Sequence, residues 1–182
     1  MLCAELWKCF FDRFGGTSLS PDAGDSSSHS NLEKIKYDVF ISFRGEDTRP
    51  TFTRDLHDAL SQKKIKAFMD EDDLKKGHEI SSALKKAIEE SKLCLVILSE
   101  HYATSRWCLE ELVHILKFKG QVEVLPIFYK VDPSDVRKQQ KSYKAAFDGH
   151  KRKHVNNKKL QKWRDALTKI ADLSGWASNE YR

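Results

Sequence analysis

Three stretches of the chain hold residue types able to do chemistry. The first is "SRWCLEEL", Ser105 to Leu112, which sets a tryptophan, a cysteine and two adjacent glutamates at the start of a helix. With Trp107 at zero and about 100° per residue, the apolar stripe centres near ~190°. Glu110 then falls near ~300°, beside His114 and Lys117, on a plain solvated edge. Glu111 falls near ~40°, between Trp107 and Ile115. A carboxylate between an aromatic and an aliphatic side chain is poorly solvated, and is the less ordinary of the two acids. Its alternative role is as a helix-dipole partner in the first turn. Ser105 precedes the helix and can cap it by accepting a backbone N–H. Cys108 as a nucleophile needs a base; His101 and His114 are close in sequence only, and a packed cysteine is the better reading.

The second stretch is "FRGEDTR", Phe43 to Arg49. Gly45 lets the backbone turn or approach a ligand, and Arg44 and Arg49 can hold phosphate oxygens bidentately. The competing reading is an exposed loop in which Asp47 or Thr48 caps the next helix. It is neither a Walker loop nor GxGxxG. The third stretch, "DEDDLKKGHEI" at 70–80, clusters four acids before Lys75, Lys76 and Gly77. Phospho-receiver domains bind a cation with such acids, but they also need an aspartate at the end of the third strand. Ser99 stands there, so that reading is rejected. What remains is a solvated mobile loop, or a flap or contact surface. The basic run "KRKHVNNKK" at 151–159 lacks the aromatic interleaving that stacks bases. A nucleic-acid partner is therefore weakly supported, and a solvated flexible loop is expected.

The elements that must position these residues alternate. "YDVFISF" (37–43) and "LCLVILS" (93–99) are near-continuous apolar runs, as in strands buried on both faces. "IKAFMD" (65–70) and "VEVLPIFYKV" (122–131) are the other strands, Pro126 marking an irregularity or a sheet edge. Helical spacing recurs at Phe52, Leu56, Ala59 and Leu60; at Ile80, Leu84, Ala87 and Ile88; at Leu109, Leu112, Val113 and Leu116; and at Leu160, Trp163, Leu167, Ile170 and Ala171. "DPSDVR" reads as a Pro-containing turn. Strand and helix in alternation give a parallel sheet covered on both faces, with ligands beyond the carboxyl ends of its strands. The loops after Phe43, Met69 and Ser99 are thus where a site is expected.

The net charge of +5 permits anionic partners without choosing among them. Cys3, Cys9, Cys94 and Cys108 make no CxxC pair and no zinc-ligand spacing, which fits a reducing compartment, cytoplasm or nucleus. No metal site is expected. Residues 1–35 read as an extension: Leu2, Leu6, Phe10 and Phe14 recur every fourth residue, and "GTSLSPDAGDSSSHSN" (16–31) is a linker. Residues 1–14 have two readings, a tail that packs on a larger protein or a helix for a membrane or partner, with Cys3 or Cys9 acylated.

Taken together, "YDVFISFRGEDTR", "DLKKGHEI", "AIEESKLCLVILSEHYATSRWCLEEL", "LPIFYKVDPSDVR" and "KWRDALTKIADLSGW" resemble a Toll/interleukin-1 receptor (TIR) domain of the plant immune-receptor kind. The resemblance spans roughly 36–176, leaving 177–182 as a tail or the start of a linker. It implies a flavodoxin-like α/β/α fold around a parallel sheet of about five strands. It also implies cleavage of NAD(P)+ at the nicotinamide–ribose bond, with NAD+ or NADP+ as substrate and no separate cofactor. By the W-C-L-x-E-L motif the catalytic glutamate is Glu111, and Glu110 fills the variable position. Phe43, Arg44, Gly45, Lys75, Ser105 and Trp107 match substrate-pocket positions. Activity in the family depends on self-association. One contact surface often carries a Ser-His pair, where this chain has Arg54 and Asp55; the other, in the last helix, is intact. The rival reading is a non-enzymatic scaffold that acts through homotypic binding.

Overall fold

The computed structural model describes residues 35–69 and 81–178. The candidate N-terminal helix and linker, the 70–80 loop with Lys75, and residues 179–182 lie outside them. Strand β1 (Tyr37–Ser42) leads through a single helical turn, Gly45–Thr48, and a wide turn, Arg49–Thr53, into α1 (Arg54–Gln62). Then come β2 (Ala67–Met69), α2 (Ser82–Glu89), β3 (Ser91–Leu98), a short turn at Tyr102–Thr104, and α3 (Arg106–Lys117). Strand β4 (Glu123–Phe128), α4 (Pro133–Arg137), α5 (Lys141–Arg152), α6 (Asn157–Ala171) and β5 (Trp176–Ala177) complete the chain.

All strand pairs are parallel, in the order β2-β1-β3-β4-β5. The expected flavodoxin-like sheet of five strands is present. β3 lies at its centre and buries seven of its eight residues, which is why its sequence is apolar almost throughout. Alternation along the strands sends Phe40, Cys94, Val96 and Leu98 to one face, packed on α2, α3, α5 and α6. Val39, Ile41, Leu93, Leu95 and Ile97 face the other way, onto Leu56 and Leu60 of α1. Asp38 ties three neighbouring strands at their base. It accepts from Lys66 N at 2.9 Å and Lys92 Nζ at 2.7 Å, joining β1 to the approach to β2 and to β3.

Three local expectations change. "DPSDVR" is the start of a helix rather than a bare turn. Asp132 Oδ1 accepts from Ser134 N at 2.7 Å and Pro133 takes the first helical position, where its missing N–H costs nothing. The basic run is mostly helical: Lys151 and Arg152 end α5, and Asn156 caps α6 through Lys158 N at 2.7 Å. Pro126 sits inside β4, opposite Val96, and β5 pairs with β4 only at Ile127 and Phe128. Gly175 lies against Pro126 on that outer side, so closely that a Cβ at 175 falls 2.4 Å from the Pro126 carbonyl oxygen.

Candidate functional site at the strand tips

The carboxyl ends of β1 and β3 are tied together by two polar networks. In the first, the Tyr102 hydroxyl donates to Cys108 O at 3.0 Å and accepts from Ser42 Oγ, also at 3.0 Å. This joins the tip of β1, the loop after β3 and the first turn of α3. All three residues are buried. Burial pushes the Tyr102 phenol well above its ordinary range, and the nearby Cys108 and Glu111 add to the shift. The hydroxyl therefore stays protonated and keeps both bonds.

The second network centres on Asp47. Its carboxylate accepts from the Arg44 guanidinium, from Ser99 Oγ at 2.5 Å and from His101 N at 3.1 Å. Behind it, the buried Tyr143 of α5 donates to Ser99 O at 2.9 Å. Asp47 does not cap a helix, as its place in the loop suggests; it bridges two loops 52 residues apart. Thr48 is not a cap either. Its hydroxyl lies 2.7 Å from Thr53 Oγ1 inside the wide turn. Of the two arginines, Arg44 engages both Asp47 and Glu46, and the Arg49 guanidinium lies over the Phe43 ring at 5.0 Å.

Helix α3 begins as the sequence suggests. Ser105 accepts from Cys108 N at 3.2 Å, and the Cys108 thiol donates to Phe43 O at 3.5 Å. That contact brings "SRWCLEEL" against "FRGEDTR" and makes Cys108 a packing residue. Trp107 packs on the core from a half-buried position. Phe43 and Gly45 are buried, Phe43 in the cluster beneath α1.

The two glutamates part ways. Glu111 is 4 % exposed, and shares the buried side of α3 with Cys108, Leu112 and Ile115. Burial pushes the Cys94 thiol up, and the charge of Glu111 pushes it further. Glu110 is not on a plain solvated edge. Its Oε1 accepts from Trp163 Nε1 at 3.2 Å and from Lys159 Nζ at 2.6 Å, fastening α3 to α6. The Cys108–Phe43 contact sets the loop that holds Phe43, Arg44 and Gly45 against the start of α3, where Ser105 caps the helix and Trp107 and Glu111 follow. Lys75 lies outside the described residues. Sequence reasoning missed the site's supports, Ser42, Asp47, Tyr102 and Tyr143. Their partners lie up to 60 residues away, so no local pattern marks them.

A family model described as the TIR domain matches residues 36–182. The chain belongs to that family. Among curated relatives, this TIR domain is 49 % identical over 156 residues to "TMV resistance protein N" of Nicotiana glutinosa, covering 84 % of this chain and 14 % of that protein. It is 48 % identical over 162 residues to "Disease resistance protein RPV1" of Vitis rotundifolia, covering 88 % and 11 % respectively. The chain thus spans only 11 to 14 % of these two relatives. Among solved structures it is similar to the TIR domains of the activated Roq1 resistosome directly recognizing the pathogen effector XopQ. The TM-score is 0.75 and the identity 48 %, over 81 % of this chain and 92 % of that one. Among the described residues, no helix of this TIR domain is long and apolar enough to cross a membrane.

Proposed function

We propose that this TIR domain is an NAD(P)+ nucleosidase, switched on by self-association, that signals plant immune cell death in the cytoplasm or nucleus. The observation that supports the reading is Glu111, a carboxylate buried in α3 one turn beyond Trp107, on a helix whose first turn reaches Phe43 at the end of β1 through Cys108. The bond that breaks joins ribose C1′ to the pyridinium nitrogen. Its electron pair goes to that nitrogen, so nicotinamide leaves neutral and needs no acid. Positive charge develops on the ribose, and a fixed carboxylate stabilises it and holds the ribose hydroxyls. Water then adds at C1′ and loses a proton, giving ADP-ribose; capture by the molecule's own adenine or ribose gives a cyclic isomer. Phe43, Arg44, Gly45, Lys75, Ser105 and Trp107 are assigned to substrate binding.

At 4 % exposure, Glu111 cannot touch a ribose until its surroundings move. That fits a protomer that is idle alone and is opened by assembly. The names of the relatives support the immune role, and the activated resistosome of the structural neighbour supports assembly. Arg54, whose guanidinium donates to Pro50 O at 2.8 Å, and Asp55 stand on the exposed side of α1, where a first-helix contact would form. Purified protein, concentrated or crowded, is expected to release nicotinamide from NAD+ or NADP+, and Glu111→Ala to release none. Equal turnover by both forms rejects the site. Wild-type protein that assembles yet stays inert points to a scaffold acting by homotypic binding.

A further inference from the structure

Arg44 is met by two neighbouring carboxylates that differ in every physical respect. Asp47 engages Nη1, and Glu46 engages Nη2. The Asp47 side chain is 11 % exposed and is pinned by Ser99 and the His101 backbone, groups that belong to the tip of β3. The Glu46 side chain is 79 % exposed and reaches Arg44 across open surface. Arg44 itself is 19 % exposed, so one edge of its guanidinium faces outward, where Glu46 covers it.

We propose that Asp47 is the positioning residue that fixes the Arg44 guanidinium, and that Glu46 is an exchangeable anion masking it until an anionic ligand takes its place. With both acids in place, one positive and two negative charges leave the cluster at −1, which repels an anion. When Glu46 swings away, the cluster is neutral and presents N–H donors held in a fixed plane by Asp47. A planar fork held this way suits a phosphate or carboxylate oxygen. An exposed ion pair is weak, so the exchange is easy. Removing Asp47 has the opposite effect, because the guanidinium then loses its orientation and Ser99 its acceptor. The two acids of "GED" thus have opposing roles in one anion site. The inference rests on the nucleosidase reading only for the identity of the ligand, a nicotinamide dinucleotide bound through its pyrophosphate.

Two measurements on the full chain separate the inference from that reading. One is titration with inorganic pyrophosphate followed by calorimetry and by the Arg44 side-chain NMR signal. The other is KM and kcat for NAD+ in the assembled protein. Glu46→Gln is expected to tighten pyrophosphate binding and lower KM about two- to fivefold with kcat unchanged. Asp47→Asn is expected to weaken binding and raise KM roughly tenfold. Asp47→Glu, which keeps the charge, should recover part of that loss. Glu46→Gln alters an exposed side chain and leaves the fold intact, so it decides the matter even if Asp47→Asn is unstable. Pyrophosphate affinities that are equal in wild type and Glu46→Gln, or weaker in the latter, overturn the inference whatever the turnover. The predicted order of affinities with no nicotinamide release, even in assembled protein, supports the anion site and overturns the nucleosidase alone.

Discussion

Glu110 and Glu111 are adjacent in sequence and identical in chemistry, and the fold gives them opposite predicted phenotypes. Glu110→Ala removes the acceptor of the Trp163 indole N–H and the partner of Lys159. Trp163 is 1 % exposed, so its N–H is left unsatisfied in the interior, at a cost of about 1–3 kcal/mol. The pair with Lys159 is partly exposed, with side chains 40 % and 23 % accessible, and adds well under ~1 kcal/mol. The sum, about 1–3 kcal/mol, corresponds to a melting temperature lower by roughly 3–10 °C for a domain of this size. Glu110→Gln keeps an acceptor for the indole and should lose less than half as much. Calorimetric and urea unfolding of the two variants, each beside the wild type, measure both effects. Nicotinamide release per folded, assembled molecule should be unchanged in Glu110→Ala and absent in Glu111→Ala. The reasoning is refuted if Glu110→Ala melts with the wild type, or if it loses activity while Glu111→Ala keeps it.

Three further outcomes follow from particular contacts. Tyr102→Phe strips a bond from the Cys108 carbonyl and another from the buried Ser42 hydroxyl, so it should cost about 1–3 kcal/mol in urea unfolding. His150 donates from Nε2 to Ala103 O at 2.8 Å, and burial, with Arg106 and Lys153 nearby, holds its pKa below the ordinary value despite that bond. The unfolded chain therefore binds the proton first. Stability is full above about pH 6.5 and falls as pH drops from there through the folded pKa, by at most ~1.4 kcal/mol per pH unit. His150→Gln should flatten that part of the stability–pH curve, and an unchanged slope would assign it to another group. Gly175→Ala drives a methyl group into the Pro126 carbonyl and ring, at 2.4 and 2.5 Å, so β5 must shift off β4. A loss of about 1–3 kcal/mol in unfolding and faster hydrogen exchange at Ile127 and Phe128 are expected.

What is legible in the sequence follows contact range. The runs around Phe40 and Val96 are apolar enough to identify strands buried on both faces. Ser105 occupies a cap position that needs only Cys108 N, three residues on. The placement of Glu111 between Trp107 and Ile115 is helical geometry, and its burial agrees with it. By the same geometry Glu110 reads as solvated, because an angle on a wheel does not say that α6 will come to lie beside it. β5 could not be located. Two residues have no periodicity, and Trp176–Ala177 become a strand only by pairing with Ile127 and Phe128. The bridging role of Asp47 has no local signature, because the donors that hold it outside its own loop belong to the turn after β3.

The sequence by itself determined the alternation of strands and helices, the capped start of α3, and the place of Glu111 between Trp107 and Ile115 on that helix. These rest on backbone periodicity and on contacts within one helical turn. The tertiary structure alone decided that Asp47 bridges two strand tips, that Glu110 fastens α3 to α6, and that Arg44 is shared between a fixed and an exposed carboxylate. The first two depend on where a side chain finds its partner once the fold has brought segments some fifty residues apart together, and the third on the hold that Ser99 and His101 have on Asp47 but not on Glu46. Hydrogen bonds and ion pairs act over a few ångströms of space, and the distance along the chain does not predict them.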